Sequence, residues 1–168
     1  MKPYLALCHI LPLALLLIGF SWGKPTWEDI YGIIARQYPD VVSLEVDQLK
    51  AAIDRGQPPV LIDVREKEEF AVSHLAKAVN ITRVEDIAYP KDTPIVAYCS
   101  VGVRSAAFAK KLGKLGFTNV RNLRGSIFTW ANKDYPLWRG NLPVHAVHPY
   151  NEKWGTLLNR QFHAYQPE

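Results

Sequence analysis

The chain has 168 residues, of which 48% are hydrophobic and 21% charged, with 20 Lys and Arg against 16 Asp and Glu. That length suits one domain plus an extra segment, and the composition excludes a disordered or fibrous chain. The mild basic balance has no clustered run behind it beyond Lys110, Lys111 and Lys114, which read as the solvated face of a helix, so nucleic acid is not an expected partner.

Lys2 precedes an almost wholly apolar run from about Leu5 to Phe20, and small residues follow in SWGK. This is the layout of a secretory signal over residues 1–23, cleaved after Ser21 or Gly23. Export, most simply to the periplasm, is the expectation, with membrane contact only through that signal. The alternative is an uncleaved signal-anchor that tethers the protein; the run is short for a span, and Pro12 interrupts it. Cys8 precedes the apolar core of the run and is not read as a lipid attachment site. Once the signal is removed, Cys99 stands alone. An unpaired cysteine in an exported protein is either an inert buried residue or a reactive thiol.

Residues 24–40 form an N-terminal helical extension. Thr26 can cap it, acids fill its first turn, and Trp27, Ile30, Ile34 and Tyr38 recur near helical spacing before Pro39. VVSLEV reads as a short strand. DQLKAAIDRG reads as a helix with Asp47 as its cap and Gly56 as its terminator. PPVLIDVR carries a four-residue apolar core, the pattern of a strand buried on both faces. EKEEFAVSHL is a short helix and turn, AVNI a small strand, and RVEDIAYP a short helix. TPIVAYC is a second buried strand. VRSAAFAKKLGKLG is a helix with Ala106, Phe108, Ala109, Leu112 and Leu115 on its apolar side. TNVRNL is a third strand, and SIFTWANKDYP the last helix. Strands alternating with helices predict an α/β fold: a mostly parallel central sheet with helices on both faces. Ligands in such folds sit beyond the C-terminal ends of the strands, where Cys99 falls.

The stretch YCSVGVRSAAF puts that cysteine between a strand and a helix. Gly102 allows positive φ, so the loop can turn its N–H groups inward. The helix beginning near Arg104 or Ser105 adds the positive end of its dipole, and the result is a concave anion site. A thiol held there ionises more readily, and thiolate is the nucleophilic form. Arg104 adds a permanent positive charge. The plainer reading is a buried, inert cysteine at a strand end.

Three stretches together resemble the rhodanese-domain family, in particular its exported single-domain thiosulfate sulfurtransferases, over about residues 41–140. VLIDVREKEEFAVSHLAKAVNI is similar to the family's first signature, CSVGVRS to its active-site loop, and NLRGSIFTWANKDYPL to its closing signature. The resemblance implies a single rhodanese-like domain and two-step sulfur transfer. Cys99 takes the outer sulfur of thiosulfate or a related donor as a persulfide and passes it to a thiophilic acceptor, cyanide or a thiol. It implies no cofactor beyond that covalent persulfide, no metal, and small-molecule partners; a monomer is expected. Ser100, Val101, Gly102, Val103, Arg104 and Ser105 would bind the substrate, with Arg124 from the closing turn as a second cation. Asp63, Arg65, Glu69 and His74 would support the site, through an expected Arg65–Glu69 ion pair and a corner-locking His74. Ala76-Lys77 and Gly125-Ser126 depart from the family pattern. Ser100, Val101 and Val103 are uncharged, so a less charged donor, such as a polysulfide or persulfide, stays open.

Alternative readings are a non-catalytic rhodanese-type binding module and a cysteine-dependent phosphatase. Only four residues separate Cys99 from Arg104. The phosphatase loop is one residue longer and carries a histidine where Tyr98 stands. A thiol–disulfide oxidoreductase would need a second cysteine. The tail, residues 141–168, contains His145 and His148, but two histidines do not make a metal site. Trp154, Leu157, Leu158 and Phe162 suggest a short amphipathic helix packed on the domain. The Trp22–Tyr38 region is expected to cover the other end.

Overall fold

The computed structural model describes residues 23–167. The signal called at residues 1–23, with Cys8, therefore lies outside the described residues apart from Gly23.

The elements in chain order are α1 (Trp27–Gln37), β1 (Ser43–Leu44), α2 (Val46–Asp54), β2 (Val60–Asp63), α3 (Lys67–Val72) and β3 (Val79–Asn80). A 3-10 turn at Val84–Asp86 leads to β4 (Ile95–Tyr98), α4 (Val103–Lys114), β5 (Val120–Leu123) and α5 (Ser126–Asn132). The tail contributes β6 (Leu137–Arg139), β7 (Leu142–Val144), α6 (Glu152–Gly155) and a 3-10 turn at Arg160–Phe162.

The five-stranded sheet runs β1-β5-β4-β2-β3, and all its pairs are parallel. Side chains alternate across it, because successive strand residues face opposite sides. Leu61, Val96 and Tyr98 enter the cluster formed with α1, α2, α5 and the tail. Ile62, Ile95, Ala97 and Cys99 enter the cluster formed with Phe108 and Leu112 of α4 and with Phe117. Each buried Val, Leu, Ile or Phe among them contributes about 1.5–3 kcal/mol, so the central strands anchor the domain from both faces.

Local chemistry sets the helix boundaries. Thr26 and Asp29 form the capping box of α1, with the Asp29 N–H donating to Thr26 Oγ1 at 3.2 Å and the Thr26 N–H to Asp29 Oδ2 at 2.9 Å. Helix α2 starts two residues earlier than expected. Its cap is Glu45, paired with Gln48, whereas Asp47 accepts bonds from Lys133 and Tyr135 of the α5 end. Leu115 is half exposed because the helix has ended by then, and Phe117 fills the buried place instead.

A hairpin not foreseen in the sequence, β6–β7, crosses the boundary drawn at residue 140. The helix expected in the tail shrinks to the single turn α6, capped by Asn151. Beyond it, Leu158 and Phe162 are still buried in the main core. The Asn132 side chain donates to Leu157 O and accepts from Asn159 N–H, both at 2.8 Å, so the tail is tied to α5.

Candidate active site

Cys99 follows the last residue of β4, and α4 begins at Val103, where the helical stretch VRSAAFAKKLGKLG begins. The loop between them is held from below by α5. The first turn of a helix has N–H groups without intrahelical partners. Those of Ile127 and Phe128 take the carbonyls of Cys99 and Ser100, each at 3.1 Å. Ser126 Oγ accepts the Cys99 N–H at 3.1 Å and donates to Leu123 O at 3.0 Å. Gly125 precedes this turn with φ of 70°, and a Cβ there would collide with the Thr129 side chain. With its carbonyls fixed downward, the loop is free to turn amides toward the sulfur. Gly102, at φ of 109°, does so: its N–H donates to Cys99 Sγ at 3.1 Å. The Ser105 amide also favours the ionised sulfur.

Ser105 Oγ stands 3.6 Å from the sulfur and 2.6 Å from Asn122 Oδ1. Asn122 is fixed in turn by donating through Nδ2 to Gly102 O at 3.1 Å. One hydroxyl proton cannot serve both acceptors. The 2.6 Å contact to Asn122 is much the shorter, and the Ser105 hydroxyl reaches the sulfur as the longer of its two contacts. Burial pushes the Cys99 thiol up. The Arg104 charge and the Ser105 and Gly102 hydrogen bonds outweigh it, and the net shift is below the ordinary thiol value.

Arg104 does not point into the loop. Its Nη1 and Nη2 donate to the two Glu69 carboxylate oxygens at 2.8 Å each, and Nη2 also donates to Ser100 Oγ at 3.0 Å. Ser100 donates to Glu69 Oε1 at 3.0 Å, which closes the triangle. Burial raises the Glu69 carboxyl, Arg104 lowers it, and the net direction is down. The expected Arg65–Glu69 pair is not formed. Arg65 instead clamps Asp63, with Nε to Oδ1 at 2.9 Å and Nη2 to Oδ2 at 2.7 Å, and reaches Ser73 O at 2.6 Å. Asp63 is two residues from Arg65, so the nearer carboxylate takes it and leaves Glu69 to α4. Asn80 donates to the carbonyls of Asp63 and Arg65 and locks the same corner.

His74 is engaged at both ring nitrogens. Nδ1 meets Leu75 O at 2.9 Å, Nε2 accepts the Gly140 N–H at 3.2 Å, and the ring stacks on Phe70. It thereby pins the β6–β7 hairpin to the end of α3. Arg124 does not join the cysteine site. It faces Glu45 at 3.4 Å, lies over the Tyr31 ring at 4.0 Å and borders a separate groove. Its backbone follows β5, whose C-terminal end opens on the α1 side of the loop.

Cys99 is 1% exposed, yet it borders a cavity of about 240 Å³. Val101 and Val103 of the loop line that cavity, as do three residues that the sequence did not assign to the site: Ile33 of α1, and Tyr150 and Trp154 of the tail. Asn122 and Ser126 were also missed. For Asn122 there was a signal, an amide next to Leu123 at the buried end of the strand. The two tail histidines have separate uses: His145 lies 3.4 Å from Asp134, and His148 accepts the Tyr150 N–H at 3.0 Å. Among the described residues, no group of three or more His, Cys, Asp or Glu is placed to hold a metal ion.

The rhodanese-like domain family model matches residues 45–133. The chain is 34% identical over 112 residues to the Bacillus subtilis protein YqhL, covering 62% of this chain and 85% of that one. It is 35% identical over 95 residues to the probable adenylyltransferase/sulfurtransferase MoeZ of Mycobacterium tuberculosis, 53% of this chain. It spans only 24% of the length of MoeZ. A rhodanese-related protein from Thermoplasma volcanium superposes with a TM-score of 0.51 at 26% identity, covering 58% of this chain and 98% of that one. With more than half of the chain matched and the parallel sheet and strand-end cysteine loop in place, the protein belongs to the rhodanese-like domain family.

Proposed function

We propose that this protein is a sulfurtransferase that carries sulfane sulfur as a persulfide on Cys99. The observation that carries the reading is the Cys99 sulfur itself. It receives the Gly102 amide at 3.1 Å, and Cys99 borders a cavity; the Arg104 charge and the hydrogen bonds of the loop favour its ionised form. Its thiolate attacks the outer sulfur of the donor. The donor's S–S bond breaks, and the leaving group departs with the electron pair, as sulfite when the donor is thiosulfate. An acceptor nucleophile then attacks the outer sulfur of the persulfide, and the Cys99 thiolate returns. One difficult transfer becomes two displacements. The same amides steady the negative sulfur in both states, without rearranging at the moment of reaction.

Arg104 acts through charge on Cys99 and is not a clamp on the donor, because Glu69 already holds its fork. That arrangement does not favour a phosphate-binding loop, in which the arginine must face the cup. We read residues 1–23 as an export signal, so the transfer takes place outside the cytoplasm. N-terminal sequencing of the protein recovered from its native host checks that reading.

The test of the reaction is mass spectrometry after incubation with sulfane-sulfur donors. Cys99 is expected to gain the mass of one sulfur atom, and Cys99→Ala to lose both the adduct and turnover. Failure of every donor to label Cys99, or undiminished turnover in Cys99→Ala, overturns the reading.

A further inference from the structure

The cavity over Cys99 has one polar side and one apolar side. Ile33, Val101, Val103, Tyr150 and Trp154 form the apolar wall, and among the described residues Arg104 is the single charged side chain on the lining. That charge is already matched: Glu69 takes both guanidinium ends, and the Tyr150 ring lies 4.9 Å from Arg104 Cζ. A doubly charged inorganic donor entering here would leave water without an unmatched cation to meet it, beside a sulfur that is itself negative. An apolar group loses nothing by entering. An apolar cavity of about 150 Å³ is enough to take benzene, and this one is about 240 Å³.

The wall is built to stay in place. Tyr150 adopts φ of 66°, in the left-handed region that a bulky residue rarely occupies. The turn that holds it is fixed on both sides. Val147 N–H donates to Phe162 O at 2.6 Å, and Asn151 Oδ1 caps α6 at Trp154 N–H. His163 Nε2 meets the carbonyls of Gly155 and Leu158, each at 3.1 Å. A Cβ on Gly155 would stand 3.0 Å from Pro149 Cβ, so the α6 turn is packed closely against the Tyr150 turn.

We propose that this cavity is the binding site for the organic part of the sulfur donor, and that the protein takes sulfur from donors whose sulfane sulfur is attached to an apolar, preferably aromatic, group. The proposal rests on the Cys99 persulfide reading and names its substrate class. With an organic hydropersulfide R–S–SH, the Cys99 thiolate bonds to the outer sulfur. The S–S bond of the donor breaks, and R–S⁻ leaves with the electron pair, to be protonated by solvent. With a thiosulfonate R–SO₂–S⁻ the leaving group is the sulfinate R–SO₂⁻, and Cys99 keeps the outer sulfur as a persulfide anion. Charge balances in both, and no oxidant or reductant is consumed. Ile33, Tyr150 and Trp154 set the preference by contact with R.

The experiment compares benzenethiosulfonate with methanethiosulfonate, which share reacting group and charge, and with thiosulfate. The rate of sulfur addition to Cys99 in the full chain is measured by mass and divided by each donor's rate with free cysteine. The normalised aryl-to-methyl ratio is expected to be about tenfold or more, as burial of a ring predicts. Trp154→Ala and Ile33→Ala should each lower that ratio, and Trp154→Phe should retain most of it. A ratio near one in the unaltered protein, or one unchanged in both alanine variants, overturns the proposal. A second measurement needs no variant. Benzenesulfinate should protect Cys99 from iodoacetamide at concentrations where methanesulfinate does not, and equal protection overturns the proposal. Absence of any sulfur adduct from all three donors is a different result. It sinks the persulfide reading, and the protection measurement still decides whether the cavity takes an aromatic group.

Discussion

Arg65 and Arg104 both hold a carboxylate beside α3, in different surroundings. Arg65 and Asp63 are both 0% exposed, and the pair ties the end of β2 to the end of α3 through Ser73. Arg104 is 32% exposed over a Glu69 that is 4% exposed, and it ties the first turn of α4 to α3. The first pair has no water to fall back on, so breaking it leaves a bare charge in the core. The second has solvent on one side and the Cys99 sulfur within reach of its field. The difference separates a contact that maintains the fold from one that bears on the ionisation of the thiol.

The sharpest way to break this contrast is Arg65→Met. Removing one partner of a fully buried pair should cost about 3–5 kcal/mol in urea unfolding. The fraction that still folds should show an unaltered pH midpoint for Cys99 alkylation; a shifted midpoint would mean that Arg65 acts on the thiol after all. Arg104→Met should do the reverse. Glu69 loses its partner but keeps Ser100, so stability should fall by only about 1–3 kcal/mol. Burial raises the thiol while Arg104 lowers it, so without Arg104 the midpoint moves up and less thiolate is present at neutral pH. The iodoacetamide rate there should drop by about three- to tenfold. An unmoved alkylation profile removes Arg104 from the site. The smallest effect belongs to Arg124→Ala. Arg124 and Glu45 are 44% and 55% exposed, and such pairs contribute below about 1 kcal/mol. Sulfur-transfer kinetics should stay within error, and a fall in thiosulfate turnover would restore Arg124 to the site.

Periodicity made the alternation of strands and helices legible, because β2 and β4 are apolar on both faces and α1 carries its own cap and stripe. The loop from Cys99 to Arg104 was legible for a similar reason: strand, glycine, arginine and helix are neighbours in sequence. Partner choice was not. Arg65 had four carboxylates within four residues, Asp63, Glu66, Glu68 and Glu69, and only the end of β2 places Asp63 under its guanidinium. Glu69 and Arg104 are 35 residues apart, and nothing local pairs them. The apolar wall was hidden for the same reason. Trp154 was read as a residue that packs on the domain, and the N-terminal helix was placed at the opposite end. Folding brings Ile33 and Trp154 to one cavity because the tail returns across α5, pinned by Asn132.

Ile33 and the Tyr150–Trp154 turn stand on either side of residues 45–133 in the chain, while Gly102 and Ser105, which hydrogen-bond to the Cys99 sulfur, stand within them. If the cavity takes the organic part of the donor as proposed, reactivity and choice of reactant are written on separate stretches of polypeptide. Exchanging the terminal segments for others would then retune which molecules are admitted while the cysteine loop stays intact.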